Sequence, residues 1–206
     1  MSQLQLGIPD LALAAFQRAL LIVPDKHDEG TTLNNLSQIY KARGDYETAL
    51  TYLTQSLTIR REIGDKAGEG ATLNNLSSIY QARGDYETAL TYLTQSLTIQ
   101  REIGDKAGMI PTLHNMAHLA LQAQDLNKAF GLWSEALTLA METNNALGIF
   151  HVASTLGSLL VQVQGQEEQA VGLLRLAVQV GKQAGFPEVQ QVEERLRQME
   201  ATSQKG

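Results

Sequence analysis

Two histidines in the second half of the chain stand at a spacing that metal sites on helices use. His114 and His118 are four residues apart in the run HNMAH, so both rings would lie on one face of a helix. In zinc peptidases with this spacing a glutamate follows the first histidine and acts as the general base, but here that residue is Asn115. Two ligands do not make a zinc site, even if His151 comes near from a later helix. We therefore expect no metal site and interpret these histidines as part of a polar helix face.

That polar face recurs along the chain. In each copy, polar residues at helical spacing lie opposite an apolar stripe, which in the first copy includes Leu33, Leu36 and Tyr40. An asparagine amide offers two donors and an acceptor, which can pair with the backbone of a bound peptide. The alternative is a helix face that is only solvated, but four successive polar faces favour binding. The predicted peptide- or partner-binding residues are Asn34, Asn35, Gln38, Lys41, Asn74, Asn75, Ser78, Gln81, His114, Asn115, His118 and His151.

No other residues combine into a recognisable reaction centre. The sequence shows no nucleophile–base pair, no glycine loop that would cradle a phosphate and no paired acids at a turn. Trp133 stands where Leu53 and Leu93 stand in the earlier copies, so we predict that it belongs to the core and not to a cofactor site. We expect neither enzymatic activity nor a cofactor.

The composition narrows the classes of partner. The 206 residues carry a formal net charge of −6, whereas a nucleic-acid groove needs a basic stripe. The chain has no cysteine, which fits a reducing compartment. Neither a signal peptide nor the ~18 consecutive apolar residues of a membrane span can be recognised. We expect a folded cytoplasmic protein that binds neither nucleic acid nor membrane.

An internal repeat supplies the elements that position the polar face. Residues 30–68 reappear as residues 70–108 with four differences, namely Thr31/Ala71, Gln38/Ser78, Lys41/Gln81 and Arg60/Gln100. A unit of this size cannot bury its apolar face alone, so stacking of neighbouring units must supply the core. The first three differences lie on the polar face, which would fit a contact surface that varies. We expect the buried positions to be the same in both copies.

Each unit is predicted to be a helix, a tight turn and a second helix. Gly44 can take the left-handed conformation that ends a helix, and Asp45 can cap the helix that follows. Gly84 and Asp85 repeat this arrangement. A second break is predicted between units, where a link would run from Gly64 to Gly68.

Older, diverged copies flank the two similar ones. We predict a single solenoid over residues 1–206, in which Pro187 opens a capping helix whose apolar stripe shields the last core. The predicted parts are a half unit at 7–26, units at 29–64, 69–104, 109–143 and 147–184, and the capping helix at 187–203.

These residues resemble the tetratricopeptide repeat. Its signature places are filled by Tyr40, Gly44, Tyr46, Ala49, Leu53 and Ser56, and again by Tyr80, Gly84, Tyr86, Ala89, Leu93 and Ser96. The forty-residue form is similar to the Pins-type G-protein-signalling adaptors and the kinesin light chains. The resemblance implies an all-α, right-handed α-α superhelical solenoid whose first helices line a concave groove that holds a protein or peptide.

The implied function is that of a non-catalytic adaptor or scaffold. Two alternatives stay open: a regulatory sensor of a small signalling peptide, and a self-associating structural spacer. Members that clamp a partner's acidic C-terminus carry Lys and Arg where this chain has Gln38, Ser78 and His118, so we do not expect such a clamp. The chain begins at a second helix, which predicts either a piece of a longer array or end-to-end dimerisation through the open N-terminal unit.

Overall fold

A computed structural model describes residues 13–16, 18, 25–163 and 165–203 of the chain. Within these ranges there is no strand, so the predicted all-α class is confirmed. Residues 13–16 and 18 are helical, and the rest of the predicted half unit before Asp25 lies outside the described residues. The bounded helices are α1 (Lys26–Ala42), α2 (Tyr46–Glu62), α3 (Lys66–Ala82), α4 (Tyr86–Glu102), α5 (Lys106–Gln122), α6 (Leu126–Glu142), α7 (Ala146–Leu160), α8 (Glu167–Ala184) and α9 (Val189–Ser203).

The chain divides into two compact units. The N-terminal unit is Met1–Gly108 and the C-terminal unit is Met109–Gly206, so the division falls within the first turns of α5. Helices pack pairwise in chain order within each unit, α1 on α2 and α2 on α3 in the first, and α7 on α8 and α8 on α9 in the second. None of the described helices is long and apolar enough to cross a membrane.

The turns inside the first two hairpins have the predicted form. Gly44 and Gly84 have φ values of 77° and 80°, which is the left-handed region that a residue without Cβ adopts at little cost. Asp45 then caps α2, since its Oδ1 accepts a hydrogen bond of 3.1 Å from the Thr48 amide. The Gly-Asp pair therefore ends one helix and begins the next within three residues, which keeps the two helices of a hairpin in contact.

The predicted link from Gly64 to Gly68 is wrong at its second glycine. Gly64 does adopt a left-handed φ of 70°, but α3 already begins at Lys66, and Gly68 lies in its first turn. The Asp65 side chain caps this helix by accepting the Gly68 amide at 2.9 Å. Gly68 is needed for a close approach and not for a turn, because a Cβ there would lie 2.6 Å from Cδ of Arg60.

Stacking of one hairpin on the next builds the core of the N-terminal unit, as the repeat predicted. Apolar side chains of α2 meet those of α3, and Tyr40, Leu50 and Tyr92 pack around the cluster. Its buried members are Ala49, Leu53, Leu57, Leu73, Leu76 and Ile79, all at most 8% exposed.

The expectation that buried positions are the same in both copies is wrong at one position. Arg60 is 6% exposed and its counterpart Gln100 is 1% exposed, so this difference lies in the interior. The Arg60 guanidinium is held by Asp65 and by the Thr31 hydroxyl, to which its Nη2 donates at 2.6 Å. The interior tolerates the arginine because both partners accept hydrogen bonds and Asp65 also balances the charge.

The predicted capping helix closes the core of the C-terminal unit. Phe150 of α7 and Ala177 of α8 are buried, and Val189 and Val192 of α9 pack against them. Trp133 is completely buried, which confirms that it is a core residue.

The α7–α8 hairpin contains two glycines in very different surroundings. A Cβ on Gly157 would lie 2.9 Å from Leu174 Cγ and 3.1 Å from the Ala170 carbonyl oxygen, whereas a Cβ on Gly172 would meet nothing within 4 Å. We expect Gly157→Ala to lower the free energy of unfolding by about 1–3 kcal/mol through overpacking. Gly172→Ala should raise it by about 0.5–1 kcal/mol, because alanine reduces the entropy of the unfolded chain. Urea unfolding of both variants checks the pair, and a Gly157→Ala variant as stable as Gly172→Ala contradicts the close approach.

The two copies provide a matched test of the Arg60–Asp65 pair. Burial by itself raises the pKa of Asp65, but the Gly68 amide and Arg60 outweigh it and hold that pKa below the ordinary 3.8. Asp65→Asn should therefore lower the free energy of unfolding by about 1–3 kcal/mol at pH 7, since an amide keeps the cap but loses the charge. Asp105→Asn, whose neighbour is Gln100, should cost less than about 0.5 kcal/mol.

The stabilisation that Asp65 provides has a defined pH window. A carboxylate with a depressed folded pKa stabilises fully above its unfolded pKa, and this contribution is lost as the pH falls through the folded pKa. The difference between the wild type and Asp65→Asn, measured by urea unfolding from pH 7 to pH 2, should therefore shrink below pH 3.8. Equal costs for Asp65→Asn and Asp105→Asn at neutral pH would rule out a stabilising ion pair.

Candidate functional site

In the N-terminal unit the polar faces of α1 and α3 lie side by side and are bonded to each other. Asn75 Nδ2 donates to Asn34 Oδ1 at 2.9 Å, and Lys41 Nζ donates to Ser78 Oγ at 2.9 Å. Burial lowers the pKa of the Lys41 ammonium from its ordinary value. The structure thus brings four of the predicted residues into two pairs that join neighbouring repeats.

The other predicted residues of this face are half-buried on the same two helices: Asn35, Gln38, Asn74 and Gln81. The side chains of Asn35 and Gln81 make no hydrogen bond within the part of the chain that the structure describes. Gln38 Nε2 is a buried donor that lacks an acceptor among the described residues. The amides of Asn35, Gln38 and Gln81 therefore provide donors and acceptors that the described residues leave unused beside the two bonded pairs.

The differences between the two similar copies follow contacts inside the chain. Thr31 and Arg60 contact each other in the first copy, and both are replaced in the second, by Ala71 and Gln100. Lys41 of the first copy contacts Ser78 of the second, and these two are also differing positions. The variation therefore has an intramolecular explanation and does not by itself indicate a contact surface.

In the C-terminal unit the predicted histidines form a hydrogen-bonded chain with the buried tryptophan. Trp133 Nε1 can only donate, and it lies 3.2 Å from His114 Nδ1, so this nitrogen accepts. His114 must then carry its proton on Nε2, which lies 3.0 Å from His118 Nε2. His118 accepts there and keeps its own proton on Nδ1. This chain fixes the tautomers of both neutral rings.

Burial and charge keep these rings neutral. Burial, followed by the charges of His118 and His151, lowers the pKa of His114 to about 4. Burial also lowers the pKa of His118. Both nitrogens of His114 are occupied, and the described residues contain no group of three or more His, Cys, Asp or Glu that could hold a metal. Asn115 is half-buried beside His114 on α5.

A cleft of about 410 Å³ lies between α5, α7 and α9 in the C-terminal unit. His118 and His151 line it, so the structure brings these two predicted residues to one cavity. Its floor and walls also include Phe150, Leu159, Val192, Ser158, Glu188 and Arg195.

Sequence reasoning missed the contribution of α9 to this cleft. Arg195 donates a hydrogen bond to the Ser158 hydroxyl, and Glu188 lines the same cavity. The spacing of Glu188, Val192 and Arg195, at four and then three residues, places them on one face of a helix. That spacing could have shown that the predicted capping helix has a second, charged face besides its apolar stripe.

A sequence profile of the tetratricopeptide repeat matches residues 3–62, 28–102 and 68–142. No curated protein matches the chain. Among solved structures, BtubC (BKLC) from P. vanneervenii is similar, with a TM-score of 0.66 and 17% identity over 95% of this chain and 89% of that one.

Two further solved structures are similar. Aspartyl phosphate phosphatase F from Bacillus subtilis has a TM-score of 0.74 and 15% identity, and the match covers 90% of this chain but only 49% of the phosphatase. A set of nearly identical TPR-like repeats from Podosopora anserina, named for kinesin light chain, has a TM-score of 0.52 and 15% identity over 96% of this chain and 88% of that one. At these identities the likeness shows the fold alone.

The chain has one tryptophan, so its fluorescence can report the protonation of His114. An imidazolium ring quenches a neighbouring indole, and we expect the fluorescence of Trp133 in the folded protein to titrate with a midpoint of about 4. The centroid of the His118 ring also lies 5.1 Å from that of the indole, so the double variant His114→Asn with His118→Asn should abolish this transition, because neither asparagine titrates. A midpoint near the ordinary 6.5, or a transition that survives in the double variant, would contradict the buried hydrogen-bonded chain.

The same ring predicts how stability depends on pH. As the pH is lowered, the unfolded chain binds a proton at His114 near pH 6.5, whereas the folded chain binds it only near pH 4. The free energy of unfolding should therefore fall as the pH is lowered through this window, by up to about 3 kcal/mol from this residue. Urea unfolding of the wild type and His114→Asn across the window measures the difference.

Proposed function

Since the chain belongs to the tetratricopeptide repeat family, we propose that it is a non-catalytic adaptor that binds a protein or peptide on the polar faces of its first helices, which are α1 and α3 in the N-terminal unit and α5 and α7 in the C-terminal unit. Members of this family generally mediate protein–protein interactions. The predicted binding residues are those of the polar faces described above.

One observation carries this proposal. The Asn34–Asn75 and Lys41–Ser78 bonds hold the polar faces of α1 and α3 edge to edge, while the opposite faces of the same helices are buried in the core. A polar surface fixed in this way costs little entropy when a ligand binds. Side chains that are only solvated would not need bonds between repeats.

The chemistry of the face favours recognition of a peptide backbone. The side-chain amides of Asn35 and Gln81 can each donate and accept, so they match the alternating N–H and C=O groups of an extended chain. Lys41 is the one cation among the predicted residues of α1 and α3, and it is bonded to Ser78. We therefore propose a neutral polar segment as the ligand of the N-terminal unit, in preference to an acidic tail. None of the described contacts favours the sensor or the spacer over an adaptor.

The proposal can be tested with a random octapeptide library flanked by glycine–serine linkers. Peptides selected on the wild-type chain should bind the double variant Asn35→Ala with Gln81→Ala about 30-fold more weakly, because two hydrogen-bonding amides of about 1 kcal/mol each are removed. The matched control is Gln55→Ala with Gln95→Ala, which truncates two exposed amides on the second helices α2 and α4. Fluorescence anisotropy of labelled peptides gives the affinities. Equal losses in both double variants, or no loss in either, would place the binding surface elsewhere.

A further inference from the structure

The described cations of the last two helices pair with carboxylates, with one exception. Among their described cations, Arg175 pairs with Glu200 at 2.7 Å, Lys182 pairs with Glu193, and Arg197 pairs with Glu194 at 3.7 Å. Arg195 is exposed and its described partner is the neutral hydroxyl of Ser158. Because Arg195 has no ion pair among the described residues, the N–H donors of its guanidinium that do not bind Ser158 can bind an external anion.

An acidic residue in the same cleft is also without an ion pair among the described residues. Glu188 lines the cleft, as Arg195 does. Glu188 immediately precedes α9, and its carbonyl oxygen accepts a hydrogen bond from the Gln191 amide at 3.1 Å. Seven residues separate it from Arg195, which at about 1.5 Å of rise per residue places the two backbones about 10 Å apart. The cleft therefore has an acidic end and a basic end.

Apolar side chains line the cleft from two helices. Val192 of α9 lies between Glu188 and Arg195 in the sequence, and Phe150 and Leu159 line the cleft from α7. Ser154 and Thr155 also line it, and their hydroxyls donate to the His151 carbonyl oxygen at 3.1 and 2.8 Å, so their lone pairs remain to accept. A ligand should bring a cation to Glu188, an anion to Arg195 and an apolar side chain to the surface that Val192 shares with α7.

We propose that this cleft binds an extended peptide segment that carries a Lys or Arg and, four residues away, an Asp or Glu, with an apolar side chain midway between them. Side chains of an extended chain alternate between two faces, so these three side chains lie on one face; at about 3.3 Å per residue they span about 13 Å, and the flexible cationic side chain adjusts this to the spacing of Glu188 and Arg195. The cationic side chain pairs with Glu188, the carboxylate pairs with Arg195, and the apolar side chain contacts Val192. A phosphate dianion fits less well, because one arginine balances a single negative charge and Glu188 repels a second. This inference rests on the proposed function, since it specifies the ligand of one part of the polar surface.

The same linker-flanked octapeptide library tests the inference, because its linkers keep terminal charges away from the cleft. One class of the peptides enriched on the wild-type chain should carry the opposite charges at a spacing of four. Synthetic copies should bind Arg195→Gln and Glu188→Gln about tenfold more weakly, which is the loss expected for one charge-assisted pair. The matched controls are Arg197→Gln on α9 and Glu168→Gln on α8, which remove charges that do not line the cleft. The exchanged variant Glu188→Arg with Arg195→Glu should enrich peptides with the charges in the reverse order.

The outcomes separate this inference from the proposed function. Enriched peptides that depend on Asn35 and Gln81 but bind Arg195→Gln and Arg197→Gln equally well would overturn the inference and leave the adaptor function standing. Enrichment of neutral peptides alone, with no peptide that carries the charge pair, would also overturn it. If no peptide is enriched, both proposals fail. Weaker binding at higher salt is expected only for peptides with the charge pair, because screening acts on the charges and not on the amides.

Discussion

A single hairpin of this chain has more apolar surface than it can bury, and the rest of the structure follows from that constraint. In the N-terminal unit, Leu53 and Leu57 of α2 are buried only because Leu73, Leu76 and Ile79 of the next hairpin's α3 pack against them. The next hairpin must therefore stack against the previous one. Stacking sets the first helices α1 and α3 next to each other, and their unburied sides become one continuous polar surface. The candidate site is thus a consequence of how the core is completed.

Much of the fold could be predicted because it depends on short spacings. The Gly-Asp pairs predict the hairpin turns, since Gly44 supplies a left-handed residue and Asp45 a cap within two positions. The same residue types misled the prediction at Gly68. Glycine serves equally for a turn and for a close approach, and at Gly68 the atoms that a Cβ would meet are the capping carboxylate of Asp65 and the side chain of Arg60. The position of a glycine in the sequence does not by itself contain those distances.

In the candidate site, too, the features set by short spacings could be predicted, and the contacts between distant residues could not. The helical period places Asn34, Asn75 and their neighbours on one face, and the structure has them there. The period could not predict which side chains bond to each other, because those bonds join residues about forty positions apart. It also missed Glu188 and Arg195, since α9 was assigned one face, the apolar one that covers Phe150 and Ala177. A helix that closes a core has a second face, and here that face completes a cleft.

The comparison of the two similar copies shows how substitutions inside a repeat array should be interpreted. A buried guanidinium is stable only where acceptors surround it, so Arg60 depends on Asp65 and Thr31. When Gln100 replaces it, the need for the hydroxyl disappears, and Ala71 stands at that position. A change on the exposed side of α1 is thus coupled to one in the interior. Variation on a helix face indicates a binding surface only at positions whose side chains have no contact inside the chain that explains the change. Thr31, Lys41 and Ser78 each have such a contact, so their variation does not indicate a binding surface. The positions whose roles are not explained by internal contacts, Asn35 and Gln81, are the stronger candidates for contact with a partner.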